Sequence, residues 1–186
     1  MTLFFSRLTL LASLLCTGML AYAAPEYSAI QRIDTVPGPF LNHIYIANGK
    51  ERQDASLGGQ TVTTIIRQDQ GVAWLLIPSK KQYQVIDIQA AKTASVQALF
   101  HHQAKTEIGT ETIDGLATKK YALTTDDGSQ PTIIWLADNG IVVKADIPAN
   151  PQNGSPQATV RLTDIQLGTQ NPALFDLPAG YVKTEN

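Results

Sequence analysis

Cysteine is nearly missing from this chain of 186 residues: the one example, Cys16, lies in an apolar leader that also holds both methionines, Met1 and Met19. Met1 to Arg7 supply one positive charge, Leu8 to Leu20 an apolar core, and Ala21-Tyr22-Ala23 a small-x-small cleavage site. That is the order of an export signal, so residues 1–23 are predicted to be removed and the mature chain to begin near Ala24 in the periplasm. The apolar core falls short of the roughly 20 residues that span a bilayer, so no transmembrane segment is expected in the mature chain. Bulky Leu15 directly before Cys16 argues against a lipoprotein signal, which needs a small residue there. What remains has no thiol, which excludes disulfides, thiolate catalysis and cysteine-ligated metals. Stability must come from the core alone, and the remaining 163 residues suffice for one domain, predicted over 24–186.

Excess positive charge is also lacking. With Arg7 removed, 13 basic side chains face 16 acidic ones, and no basic stripe is left for nucleic acid or an anionic membrane surface. Lys80-Lys81 and Lys119-Lys120 are isolated pairs at strand edges or in loops.

Catalytic motifs are equally scarce. Three histidines remain, His43 on a predicted strand and His101-His102 at the end of a predicted helix, and adjacent helical residues diverge too far to share one metal. There is no G-x-S-x-G elbow, and Ser155 sits in a Gly-Ser-Pro turn with no evident base. Asp126-Asp127-Gly128 lacks the further oxygen ligands of a calcium loop. Gly58-Gly59 has no following helix to hold a phosphate. Glu107, Glu111 and Asp114 are carboxylates that nothing in the sequence selects as an acid–base pair. No catalytic residue, metal or cofactor is expected, and the chain is not read as an enzyme.

What is present is turn punctuation. Asn48-Gly49, Gly58-Gly59, Asp114-Gly115, Asp127-Gly128, Asn139-Gly140 and Asn153-Gly154 separate runs rich in Val, Ile, Thr, Tyr and Trp. Strands are predicted at Ala29–Thr35, Phe40–Ala47, Lys50–Ala55, Thr61–Arg67, Val72–Ile77, Gln82–Ile88, Glu107–Ile113, Ala117–Thr124, Thr132–Ala137, Ile141–Ile147 and Ala158–Leu167. Gln89 to His102 lacks Gly and Pro, and its Ala91, Ala94, Ala98 and Leu99 recur at helical spacing, so one covering helix is expected. The fold class is therefore mainly β: an antiparallel, strongly curved sheet or unclosed barrel of 10 to 11 strands with a helix over one opening or face.

Register arithmetic places side chains. A two-residue turn at Asn139-Gly140 puts Ile134, Leu136, Val143 and Ala145 on one face, and Ile133, Trp135, Lys144 and Asp146 on the other. A four-residue loop at Pro78 to Lys81 puts Trp74, Leu76, Tyr83 and Val85 on one face. Both faces of Val72–Ile77 are then apolar, so the helix, a partner subunit or a ligand must cover the strand on both sides. Trp74, Leu76, Tyr83, Val85, Ile134, Leu136 and Val143 are the candidate lining of an apolar ligand site, with Arg67 at its rim or in a salt link before the Asp69 turn. The aromatic ones read first as core, and Trp135 opposite Lys144 as an exposed ring covered by a lysine stem. Phe175, Pro178 and Tyr181 are expected to pin the C-terminal tail.

Asn48-Gly49-Lys50-Glu51-Arg52, Ile65-Ile66-Arg67-Gln68-Asp69, Trp74-Leu75-Leu76-Ile77-Pro78 and Lys81-Gln82-Tyr83 form an ordered succession. Gly115 with Lys120-Tyr121, Ile134-Trp135-Leu136, Gly140-Ile141-Val142-Val143-Lys144 and Leu174-Phe175-Asp176-Leu177-Pro178-Ala179-Gly180-Tyr181 continue it, from about His43 to Tyr181. This succession resembles a family of exported bacterial proteins of unknown function, similar in turn to the periplasmic lipoprotein carriers LolA and LolB. The resemblance implies an unclosed β-barrel with an apolar cavity under helices. The carriers use several such helices and this chain offers one, so its cavity is shallower, filled by side chains, or open to a partner. Two functions follow as expectations: a carrier for a lipid, acyl chain or lipoprotein, or an envelope module that binds a protein partner.

Overall fold

The computed structural model describes residues 25–36, 38–93, 95–97, 104–123, 130–152 and 154–185. Residues 1–24, His101, His102, Asp126, Asp127, Gly128 and Asn153 lie outside them. Twelve strands form one sheet: β1 (Tyr27–Thr35), β2 (Phe40–Ala47), β3 (Lys50–Leu57), β4 (Gln60–Arg67), β5 (Val72–Ile77), β6 (Gln82–Ile86), β7 (Lys105–Ile113), β8 (Leu116–Leu123), β9 (Thr132–Ala137), β10 (Val142–Ile147), β11 (Ala158–Leu167) and β12 (Val182–Lys183). Their order is β12-β6-β5-β4-β3-β2-β1-β11-β10-β9-β8-β7, and the two ends do not meet, so this is an unclosed barrel. The hairpin turns have the backbone their residues favour. Asn48 and Gly49 have φ of 48° and 72°, and Asp114 and Gly115 of 49° and 82°, the left-handed pair that joins twisted strands with least splay.

The Pro78–Lys81 loop gives the expected register, with Trp74 opposite Val85 and Leu76 opposite Tyr83. The β9–β10 hairpin departs from expectation at one place. Trp135 pairs with Lys144 and Ile134 with Ala145 as read, but Leu136 pairs with Val142, and Val143 is the extra residue of a bulge. A bulge has no periodic signature, so alternation alone missed it. β12 was missed for a related reason: two residues carry no period, and it adds to β6 in parallel through Val182 N–H to Lys81 O and Thr184 N–H to Tyr83 O, both 2.9 Å.

Of the expected single helix from Gln89 to His102, residues 94 and 98–102 lie outside the described residues. Helix α1 spans Ile88–Thr93, Ser95 is non-helical, and Val96 and Gln97 are helical again. Asp87 accepts the Ala90 N–H at 2.7 Å and caps the start. This crossing segment covers the inner face of the sheet. Ala91 packs on Ile66 and Ala73, while Val96 packs on Leu123, Ile134, Val142, Ala145 and Val160. The outer face of β4 and β5 is covered by the chain's own tail. A short 3-10 turn, Pro172–Phe175, drives Phe175 onto Ala47, Ile65 and Leu76, with Trp74, Tyr83, Leu177 and Tyr181 around it. The doubly apolar β5 is therefore explained by a helix on one side and the tail on the other.

Candidate functional site

The sheet sends the candidate lining residues to different places. Trp74, Leu76 and Tyr83 pack under Phe175 on the outer face, and Val85 stands 42% exposed beside Trp74. Ile134 and Leu136 lie on the inner face under Val96. Val143 joins a third cluster with Tyr27, Ala29, Ile44, Ile141 and Leu162. The parity of the register separates the first two groups, since paired residues share a face all the way from β6 to β9.

Of the two settings open to Arg67, the salt link is the one formed. Its side chain is buried, its Nε and Nη2 bind both oxygens of Asp69 at 2.9 and 2.8 Å, and its Nη1 reaches Asp176 at 2.6 Å and the Phe175 carbonyl at 3.2 Å. Arg52 adds a contact from Nη1 to the Leu174 carbonyl at 3.2 Å. Two arginines on neighbouring strands thus clamp the tail over β4 and β5. The Asp69 carboxyl is held below its ordinary range by the hydrogen-bonded Arg67 guanidinium, whose own pKa rises for the same reason.

Trp135 is buried. Its Nε1–H donates to Glu111 at 2.7 Å, and the Lys144 and Lys120 ammonium groups stand 3.8 and 4.8 Å from the ring centroid. Two lysine stems cover the ring, which makes this a stable piece of surface rather than an open binding platform.

The inner face carries a buried polar cluster. Glu51 accepts from Gln53 Nε2 at 2.6 Å and from the Ser95 hydroxyl of the crossing segment. Burial raises the Glu51 pKa, against the two hydrogen bonds that lower it. Burial, and then the Glu51 charge, push the Tyr27 phenol well above its ordinary range. No signal in the sequence marked Glu51: it sits among Lys50 and Arg52 and reads as a solvated strand.

Gln97 makes a second tie. Its amide donates to the Val142 carbonyl at 2.8 Å, and its carbonyl oxygen accepts the Val142 N–H at 3.2 Å. A side-chain carboxamide here plays the part of a neighbouring strand's peptide group, which satisfies backbone that burial would otherwise leave unpaired. The reason it is needed lies in the sheet. β10 pairs with β11 only from Lys144–Arg161 to Ile147–Ala158, whereas β11 continues to Leu167 against β1. The bulge at Val143 and the positive φ of Asp164, 51°, accompany the parting of the two strands.

Where they part there is a cleft of about 240 Å³. Ile113, Leu116, Ile141, Val143, Leu162 and Ile165 wall it, Leu167 flanks it, and Asp114, Asn139, Thr163 and Asp164 supply its polar groups. The β7–β8 turn is held over it by Asp114, whose carboxylate accepts from Arg161 Nε at 3.0 Å and also from Nη2. Of the seven candidate lining residues the cleft contains one, Val143. Among the described residues no group of three or more metal-binding side chains occurs, and no helix is long and apolar enough to cross a membrane.

A family model described as "Domain of unknown function (DUF4412)" matches residues 38–144. The chain belongs to the DUF4412 family. Among solved structures, this DUF4412 chain is similar to an uncharacterized conserved protein from Thermus thermophilus, with a TM-score of 0.61 at 10% identity over 88% of this chain and 91% of that one. It is also similar to the Pseudomonas aeruginosa MucA/MucB complex, with a TM-score of 0.53 at 15% identity over 86% of this chain and 57% of that one. This chain thus spans little more than half of that structure's chain. A putative outer membrane lipoprotein-sorting protein domain from Vibrio parahaemolyticus overlaps at a TM-score of 0.31, 12% identity, 84% of this chain and 91% of that one, too distant to bear on the site. No curated protein matches this chain. At these identities the likeness of the DUF4412 chain to the first two shows the fold alone, an unclosed barrel.

Proposed function

We propose that this DUF4412 protein is an exported, non-enzymatic binding protein that shelters the apolar end of a lipid or acyl chain in the cleft between β10 and β11. The observation that carries this reading is the cleft itself: apolar walls from four strands, few polar groups, and an opening flanked by Leu116 and Leu167, which are 39% and 62% exposed. Its size chooses among ligands. About 240 Å³ is below the roughly 300–1,000 Å³ of sites that enclose drug-sized molecules, so it suits one alkyl chain and not a whole diacyl lipid. The leader read from residues 1–23 supports a periplasmic setting.

The neutral apolar fluorophore N-phenyl-1-naphthylamine should bind the protein saturably with one site. Ile165→Trp adds volume at a half-buried wall position and is expected to weaken that binding about tenfold or more while the melting temperature moves by only a few degrees. Equal binding by both proteins, or none by the wild type, contradicts the reading.

A protein partner is the second reading, favoured by β7. Among the described residues this nine-residue strand is a sheet edge paired only with β8, and every residue from Lys105 to Thr112 is exposed. An added strand is the usual occupant of such an edge. Ile108, 50% exposed at the β7 bulge, is the apolar contact available there. Sedimentation velocity across a concentration series should then show self-association that Ile108→Lys abolishes; a monomer throughout removes the homomeric form of this reading.

A further inference from the structure

The charges around the cleft bear on the polar end of its ligand. Asp114 and Asp164 are the two ionisable side chains among its lining residues. Arg161 engages Asp114 through two guanidinium nitrogens, so that charge is neutralised in place. Asp164 has no salt bridge among the described residues and stays exposed to solvent. The balance at the mouth is one uncompensated negative charge beside an apolar wall.

Asp164 also borders a second hollow, of about 400 Å³, on the other side of β11. Its lining is mixed and more polar than that of the cleft, with Ser28, His43, Tyr45 and Gln166 beside Ala29, Ile30 and Ile44. Asp164 therefore stands between an apolar compartment and a more polar one, where the junction of tail and head group of a bound amphiphile would fall. A cation at that junction meets an opposing carboxylate, and an anion meets a like charge that the neighbouring Arg161–Asp114 pair does not offset.

We propose that the site is built for amphiphiles with a cationic head group, an alkylammonium or alkylguanidinium, in preference to fatty acids of the same chain length. This rests on the reading of the cleft as an apolar-chain site, and it adds the charge of the ligand to it. Asp164 is the residue that discriminates, and His43, Tyr45 and Gln166 border the space left for the head.

Competition separates the chain site from its charge preference. N-phenyl-1-naphthylamine bound to the full-length protein is titrated with dodecylammonium or with dodecanoate, both below their critical micelle concentrations and at mildly alkaline pH. The expected result is that dodecylammonium displaces the probe at a concentration about tenfold or more below dodecanoate. Asp164→Asn should bring the two concentrations together, because Asn accepts the same left-handed backbone and removes only the charge. Glu185→Gln, which removes an exposed charge elsewhere, should leave the ratio unchanged. Equal displacement by the two amphiphiles, or a preference that survives Asp164→Asn, overturns the proposal while leaving the cleft as a chain site. Failure of the fluorophore itself to bind overturns the chain site first, and this proposal with it.

Discussion

Phe175→Ala is expected to cost about 3–5 kcal/mol and to release the C-terminal tail from the sheet. Phe175 is 1% exposed and sits on Ala47, Ile65 and Leu76, so truncation leaves a cavity that the flat surface of a sheet cannot close by collapse. The tail's other holds are the half-buried Leu174, Leu177 and Tyr181 at the margin of the same cluster, the Arg67 and Arg52 contacts, and the two residues of β12. The Arg67–Asp176 ion pair adds little to them, because Asp176 is 65% exposed and solvent screens its charge. Urea unfolding followed by tryptophan fluorescence measures the loss. Trypsin cleavage at Lys183 should accelerate under native conditions, and Trp74 emission should shift to the red as its ring meets water. A change below about 1 kcal/mol, with the tail still protected, would show that the clamp and not the ring holds this face.

Glu51 should show the second large effect, and its sign depends on the replacement. Burial raises its pKa in the folded state above the ordinary value of 4.5, so the folded protein binds the proton more tightly than the unfolded chain. The stabilising contribution of the protonated carboxyl is complete below the unfolded pKa and is lost as pH rises through the folded one. Glu51→Gln keeps the size and hydrogen-bonding capacity without the charge. It should match wild type in acid, exceed it at neutral pH, and flatten the fall of stability with pH above 4.5. Glu51→Ala should cost about 1–3 kcal/mol at low pH, because buried Ser95 and half-buried Gln53 lose an acceptor. Denaturant midpoints across a pH series read both. A Gln variant less stable than wild type at neutral pH would mean that the charged carboxylate is the form the fold prefers.

Phe175 and Glu51 differ in how far the chain announced them. Phe175 stood in a Leu-Phe-Asp-Leu-Pro segment that pointed to a pinned tail, but the surface it covers emerged only when Trp74, Leu76 and Tyr83 were seen beneath it. Both faces of β5 did need cover, as its apolar run required. Which body supplied the cover stayed open, because a strand's own pattern reports burial and not the burying group. Glu51 was opaque for the opposite reason. A carboxylate between Lys50 and Arg52 looks solvated, and its burial comes from Ser95, 44 residues away, crossing the inner face.

The cleft was least legible of all. Val143 was a candidate because alternation placed it with Ile134 and Leu136, yet the bulge moves it out of that register and into the wall of the opening between β10 and β11. Leu162 and Ile165 fall within the alternation of an ordinary strand, and nothing in the sequence marks Asp164. Its positive φ follows from β11 holding β1 on one side while β10 departs on the other.

Side-chain period and local backbone preference, acting within a few residues, were enough to establish the antiparallel strands, the turn at Asn48-Gly49 and the Trp74–Val85 register. That the tail fills the outer face, that Gln97 stands in for a missing strand, and that the sheet opens beside Asp164 became definite only in the folded molecule. Those outcomes come from packing between segments far apart in the chain, where the energy of a contact is set by which surfaces meet and not by the pattern of either surface alone.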